Sequence, residues 1–185
     1  MLVEDTNLDY SYDGIASEIR DAVTIDHNLG FDVDLTAGYD FGLVRAEAEV
    51  AYKRASIDEV QLATDFFAST NPTEPYDANG RVSVLSIMGN VLFDFGDEDG
   101  WSGFLGAGLG FAKVKYNADV AVGPQFDVGF SDSDGTIAWQ ILAGIRKSIS
   151  PNIDLGLKYR FFNAPRLKFQ GGDGSELSGR FRSHS

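Results

Sequence analysis

Charged and polar residues fall on every second position of the most strand-like segments of this chain. From Phe31 through Phe41 the odd positions are apolar and the even ones are Asp32, Asp34, Thr36, Gly38 and Asp40. Val44 to Lys53 places Arg45, Glu47, Glu49 and Lys53 in one phase and Val44, Ala46, Ala48, Val50 and Tyr52 in the other. Ile153 to Phe161 repeats the arrangement with Asp154, Lys158 and Arg160 against Ile153, Leu155, Leu157, Tyr159 and Phe161. A period of two means β-strands with one apolar and one polar face. A soluble sandwich and a membrane barrel both satisfy that pattern, so the connections must decide between them.

The connections are of two kinds. Phe41-Gly42-Leu43, Gly96-Asp97-Glu98-Asp99-Gly100 and Ser150-Pro151-Asn152 have the composition of tight turns. Between them lie long polar segments at 11–28, 56–79, 117–134 and 163–176, with no sustained period. Loops longer than about 12–15 residues are uncommon in compact domains. Strict alternation with tight turns is what an outer-membrane barrel would require, with short periplasmic turns and long extracellular loops. The spacing predicts eight strands, within 1–9, 29–41, 43–55, 80–95, 101–116, 135–147, 152–162 and 177–185. Most are long enough to cross a bilayer at a tilt, which takes roughly 9–11 residues. The expected fold is all-β, an eight-stranded antiparallel up-and-down transmembrane barrel forming one domain over 1–185.

Composition bounds the function. The net charge of −13 and pI of about 4.4 argue against nucleic acid as a partner. Absence of cysteine excludes disulfides and thiolate metal sites. No segment has the roughly 18 uninterrupted apolar residues of a transmembrane helix, a criterion that leaves barrels untouched. The opening residues Met1-Leu2-Val3-Glu4-Asp5 do not read as a signal peptide.

An eight-stranded barrel is narrow and filled by its own side chains. The predicted interior charge network is Asp32, Asp34, Arg45, Glu47, Glu49, Arg146, Lys158 and Arg160, joined by Gln140 and by small Gly106, Gly108 and Gly110. Both signs are present, so buried charges can pair and offset desolvation. Aromatics are expected at the two membrane interfaces. Those predicted are Tyr39, Phe41, Phe93, Phe95 and Trp101 beside the short turns, and Tyr52, Tyr116 and Phe161 towards the long loops.

The runs Leu35-Thr36-Ala37-Gly38-Tyr39-Asp40-Phe41, Met88-Gly89-Asn90-Val91-Leu92-Phe93-Asp94-Phe95, Gly106-Ala107-Gly108-Leu109-Gly110 and Leu155-Gly156-Leu157-Lys158-Tyr159-Arg160-Phe161-Phe162 follow one another in order. Together they resemble the small outer-membrane β-barrel family of OmpA-type and opacity-type proteins, over most of the chain. Arg182-Ser183-His184-Ser185 is similar to the opening of that family's last strand. The resemblance implies a Gram-negative outer membrane and a structural, adhesive or anchoring role. It also implies first and last strands longer than those here, so both are expected to be truncated at the periplasmic end. The partners implied are outer-membrane lipid and lipopolysaccharide, with a protein or other surface partner at the loops.

Candidate chemistry is sparse. His27, between Asp26 and Asn28, reads as a solvated loop histidine. His184-Ser185 is similar to the histidine and serine of outer-membrane lipid A deacylases, but no neighbouring strand offers a clear orienting acid. Asp58, Glu59, Asp65, Glu74 and Asp77, and Asp127, Asp132 and Asp134, are oxygen ligands in type. Their spacing lacks a calcium-loop glutamate, and a solvated acidic surface is the expectation. The glycine run has no G-x-G-x-x-G spacing and is not a nucleotide loop. The reading therefore assigns no catalytic residue, no cofactor and no metal. Its function is a structural barrel with an ion-paired plug and acidic external loops. The alternatives are a narrow ion-conducting barrel and a soluble lipocalin-like barrel with Phe31, Val33, Leu35, Leu155 and Leu157 turned inward. For the membrane reading, strand circular dichroism and a shift between boiled and unboiled gel mobility should appear only in detergent; a folded, monodisperse protein in plain buffer would sink it.

Overall fold

The computed structural model describes residues 1–11, 19–27, 29–62, 76–96, 100–121, 127–150, 153–170 and 176–185. Their strands are β1 (Leu2–Val3), β2 (Thr6–Ser11), β3 (Ile19–His27), β4 (Phe31–Asp40), β5 (Val44–Leu62), β6 (Tyr76–Gly96), β7 (Trp101–Ala121), β8 (Asp127–Ser150), β9 (Ile153–Gln170) and β10 (Glu176–His184). β1 and β2 lie end to end along β10, and β3 and β4 lie end to end along β5. The ten segments therefore occupy eight places around one antiparallel wall, as the alternation predicts.

The ring closes at the end carrying the long connections, called the upper end below. There β10 pairs with β9 on one side and β2 on the other, and β2 continues through β3 to β5. At the lower end Gly42 makes the tight turn between β4 and β5 with a φ of 101°. Phe41 N–H donates to Val44 O at 2.8 Å and Gly42 N–H to Asp40 Oδ1 at 2.7 Å. Below Gly30 and Arg160, the edges of β4 and β9 have no ladder partner among the described residues. Side chains reach from one to the other across this seam.

The apolar face changes sides along the strands. In the lower part it points outward: Val33, Leu35, Val50, Leu85, Ile87, Leu105, Leu109, Ile137, Ile141 and Leu157 are all exposed. In the upper part it points inward, where Ile57, Val82, Val84, Val114, Tyr116, Leu167, Phe169 and Phe181 are almost fully buried. On β5 the outward set ends at Tyr52 and the inward set begins at Ala55; on β7 the switch falls between Phe111 and Ala112. The lower wall is thus dressed for lipid and the upper wall for water. Phe31, Val33, Leu35, Leu155 and Leu157 all face out, opposite to what a lipocalin-like lumen needs.

This reversal corrects several expectations. Residues 19–27, 56–62, 76–79, 117–121, 127–134 and 163–170 were expected in loops and are strand. They lost their apparent period because the apolar phase inverts, and because outward positions turn polar once the wall leaves lipid. Tyr116, expected at an interface, is buried inside, with its hydroxyl 3.2 Å from Thr6 Oγ1 and its ring edge-on to Phe169. His27 belongs to β3, its ring centroid 6.3 Å from that of Tyr116, rather than to a loop.

β9 keeps its inner face through the reversal only with an extra residue. Phe162 and Ala164 point inward, as do Leu167 and Phe169. The register against β10 jumps from Ala164↔Phe181 to Leu167↔Gly179, with Arg166 at a φ of 58°. Beside this bulge the β8–β9 ladder stops at Trp139↔Asn163, and side chains of β8 take over. Asp134 Oδ2 accepts from Lys168 N–H at 2.7 Å and Asp132 Oδ2 from Gln170 N–H at 2.8 Å. Thr136 Oγ1 donates to Pro165 O at 2.7 Å. Phe181 lies at the heart of the upper core, against Phe162. Phe181→Ala should cost about 3–5 kcal/mol, measured as a lowered urea midpoint in detergent micelles; an unchanged midpoint would show that the upper core does not hold the barrel together.

Candidate functional site

The functional geometry of this barrel is its lumen, which has a charged lower storey and an apolar upper one. Alternation aims Asp32 and Asp34 inward from β4, Arg45, Glu47, Glu49 and Lys53 from β5, Gln140 and Arg146 from β8, and Lys158 and Arg160 from β9. The centre is Arg160, whose side chain is 1% exposed. Its Nη1 donates to Asp32 Oδ2 at 3.0 Å, and its Nη2 to Asp34 Oδ2 at 2.6 Å and Glu49 Oε2 at 3.0 Å. Lys53 Nζ and Ser185 Oγ also donate to Asp32 Oδ2, at 2.5 and 2.6 Å. Lys158 reaches Asp34 at 3.0 Å. Glu49 receives Gln140 Nε2 at 3.3 Å and Asn90 Nδ2 at 3.4 Å. The Arg160 and Lys158 pairs with Asp32 and Asp34 run from β9 to β4, across the seam where the backbone ladder is missing.

A second cluster lies nearer the tight turns. Arg45 pairs with Glu47 at 3.3 Å and with Asp94 at 3.1 Å, over the ring of Phe104. Arg146 stands 3.8 Å from Asp94 and donates to Ser102 Oγ at 2.9 Å. Together the clusters hold five carboxylates (Asp32, Asp34, Glu47, Glu49, Asp94) and five cations (Arg45, Lys53, Arg146, Lys158, Arg160) among the described residues. Their formal charges cancel. Gly108 makes room for this packing, since a Cβ there would collide with Asn90 Oδ1.

The structure brings all eight residues of the sequence-derived network into these clusters and adds Lys53, Asn90 and Asp94. The signal for the additions was present: Lys53 is in phase with Arg45 and Glu49, and Asn90 and Asp94 are in phase with each other. Above the charges the lumen is apolar, with Phe162, Phe181 and Tyr116 filling it. The ion-paired part of the lumen is thus its lower storey, and an apolar storey lies above it.

On the outer wall, Tyr39, Phe41, Phe93, Phe95 and Trp101 are exposed beside the lower turns, and Tyr52 is exposed higher up. Phe161 packs against Trp139 and His184. His184 also corrects the sequence reading, because an acid does stand beside it: Glu4 Oε1 is 2.9 Å from Nε2, and Tyr159 Oη is 2.8 Å from Nδ1. Ser185, however, points to the opposite face and binds Asp32, so serine and histidine do not meet. Asp132 and Asp134 serve backbone amides rather than a solvated patch. Asp65 and Glu74 lie outside the described residues. At the upper rim, the Glu176 carboxylate beside Lys168 holds its ammonium above the usual lysine range. No group of three or more metal-ligating side chains occurs among the described residues.

An antiparallel wall that closes at its upper end, with an apolar outer band and a polar lower lumen, defines a membrane β-barrel of the outer-membrane type. The chain matches the outer membrane protein beta-barrel domain family over residues 5–180 and belongs to it. It is a protein of the bacterial outer membrane. An uncharacterized protein of Brucella abortus (strain 2308) is 29% identical over 157 residues, covering 78% of this chain and 53% of that protein. The outer membrane protein PagN of Salmonella typhimurium is 24% identical over 143 residues, covering 74% and 59%. The chain thus spans about half the length of these relatives. Among solved structures it is similar to Neisserial surface protein A, with 20% identity, a TM-score of 0.46, and 96% and 91% of the two chains covered. It is also similar to Ail of Yersinia pestis, solved in complex with the heparin analogue sucrose octasulfate, with 16% identity, a TM-score of 0.40, and 100% and 97% covered.

Arg160→Met removes the shared cation and leaves Asp32, Asp34 and Glu49 facing one another. The expected loss is about 3–5 kcal/mol, read as a lowered midpoint for loss of the heat-modifiable gel form; a change under about 1 kcal/mol would mean that the cluster is solvated and does not hold the lower wall.

Proposed function

We propose that this chain is a sealed structural barrel of the outer membrane, whose lumen conducts nothing and whose upper end is the interacting part. The observation that carries the reading is the upper lumen, where Phe162, Phe181 and Tyr116 are all 1% exposed or less. Ions crossing the charged storey would have to pass this apolar layer with their hydration shells removed, at a high cost. The same layer argues against the narrow ion-conducting alternative. The charged storey below acts as a plug: its carboxylates and cations neutralise one another and tie β4, β5, β8 and β9 together.

The ion-paired clusters are formally neutral among the described residues, so the net charge of −13 is carried outside them. Acidic residues such as Asp65, Glu74 and the Asp97-Glu98-Asp99 run belong to the connecting segments. Those at the upper end give the barrel a negative surface for a protein or other partner outside the cell. Outer-membrane lipid and lipopolysaccharide are the partners around the wall. The reading assigns the chain no catalytic step and no cofactor.

Planar-bilayer recording tests the seal. Purified protein should insert without opening steps, and the double variant Phe162→Gly, Phe181→Gly should introduce a small leak. Steady conductance through the wild-type protein would overturn the sealed-barrel reading.

A further inference from the structure

Among the described residues, every joint around the upper ring is a backbone ladder except one. The β5–β6 ladder runs up to Val60↔Tyr76, β6–β7 to Ala78↔Val120 and β7–β8 to Ala121↔Asp127. On the other side β9–β10 reaches Gln170↔Glu176 and β10–β2 reaches Ser11↔Glu176. β2–β3 and β3–β5 complete the circuit, with Tyr10↔Ile19 and Val23↔Leu62 at their tops. The β8–β9 ladder alone stops low, at Trp139↔Asn163. Above it two edges face each other: β8 from 127 to 138, laddered to β7, and β9 from 164 to 170, laddered to β10.

Three side chains of β8 span the gap. Asp132 Oδ1 accepts from the N–H of its own neighbour Ser133 at 2.7 Å, and its Oδ2 accepts from Gln170 N–H at 2.8 Å. Asp134 does the same for Gly135 and Lys168, both at 2.7 Å. Thr136 Oγ1 donates to Pro165 O. Each carboxylate thus holds one amide from each edge, where a regular ladder would join the edges directly. β9 leaves β8 at Ala164-Pro165-Arg166, where proline offers no N–H and Arg166 has a φ of 58°. Beside that bend lies a groove of about 510 Å³, lined in part by Pro165, Arg166, Lys168, Gly179 and Arg180, which leaves the backbone room to pivot.

We propose that the upper β8–β9 joint is a clasp at which the outer end of the barrel opens. Asp132, Asp134 and Thr136 hold it shut, and the Pro165-Arg166 bulge is its hinge. A ladder releases its bonds cooperatively along two backbones, whereas three side chains release theirs by changing rotamer. Opening moves Leu167 and Phe169 away from the core, where Phe169 now packs edge-on to Tyr116, and bares two strand edges at the rim. The end of the barrel read above as the interacting one then has two shapes. Phe162 and the Ala164↔Phe181 pair lie below the bulge, so the seal stays in place when the clasp opens. The inference goes beyond the sealed-barrel reading, and its readouts need no conductance, so the two fail separately.

The test is hydrogen exchange of single amides, read by NMR on the whole chain in micelles. In the variant Asp132→Asn, Asp134→Asn each side chain keeps one acceptor and turns an amide N–H at the second partner. The amides of Lys168 and Gln170 should then exchange roughly tenfold faster or more, the scale of one lost charge-assisted hydrogen bond, while those of the β6–β7 ladder keep their rates. Unchanged exchange at Lys168 and Gln170, or an equal rise in the β6–β7 ladder, would overturn the clasp. Because the chain has no cysteine, Leu167→Cys supplies a second readout with a single thiol. A water-soluble maleimide should label it faster when the two Asn substitutions are added, and should label Val84→Cys, elsewhere in the same core, no faster. Equal acceleration at both thiols would again overturn it. If the double Asn variant fails to fold, Thr136→Val removes the third bond alone and should speed exchange at Lys168; no change there would count against the proposal in the same way.

Discussion

One sheet here has to satisfy two solvents. Lipid offers backbone amides and carbonyls no hydrogen bonds, so the lower wall must find them within the protein and turn apolar side chains outward. Water reverses the second demand, and the upper wall buries its apolar side chains inside. A strand has only two faces, so the two demands are met by exchanging which face is apolar partway along. The exchange fixes the rest: a lower lumen that must hold polar groups, an upper lumen that becomes an ordinary packed core, and a boundary around the outer wall at which interfacial residues collect.

The charged storey follows from the first half of that bargain. With the outside given to lipid, inward positions take the polar residues, and charges inside a narrow wall are tolerable only when paired and hydrogen-bonded. Arg160 meets this by spreading one guanidinium over Asp32, Asp34 and Glu49, which Gln140, Asn90, Lys53 and Lys158 then saturate from other strands. Geometry that specific does more than fill space. It fixes the distance between β4 and β9 where no ladder does so, and side-chain pairs there perform the task that backbone pairs perform elsewhere in the wall.

Much of this was legible in the residues. Alternation through 31–41, 44–53 and 153–161 revealed the strands, their inner faces and most of the charged cluster, because a period of two needs only neighbours in the chain. The upper strands were hidden for the same reason. A window spanning Tyr52, Ala55 and Ile57, or Phe111, Val114 and Tyr116, mixes two phases and reads as no phase at all. That is why Tyr116 looked like an interfacial aromatic and why 56–62 and 117–121 looked like loop. The contact of Glu4 with His184 was out of reach, since 180 positions separate the two and only ring closure joins them. The splice of Asp132 and Asp134 onto β9 likewise depends on a bulge that leaves no clear local signature beyond Ala164-Pro165-Arg166.

That bulge makes chain length itself a structural specification. Below it, even-numbered residues of β9 face the lumen; above it, odd-numbered ones do. Removing one residue between Ala164 and Leu167 would erase the bulge and leave Leu167 and Phe169 facing in on a regular ladder. Removing two would alter no hydrophobic side chain of the core, yet it would turn Leu167 and Phe169 to the outside and bring Lys168 and Gln170 in. The segment therefore behaves like a reading frame, in which the count of residues, more than their identity, decides what the next four side chains mean.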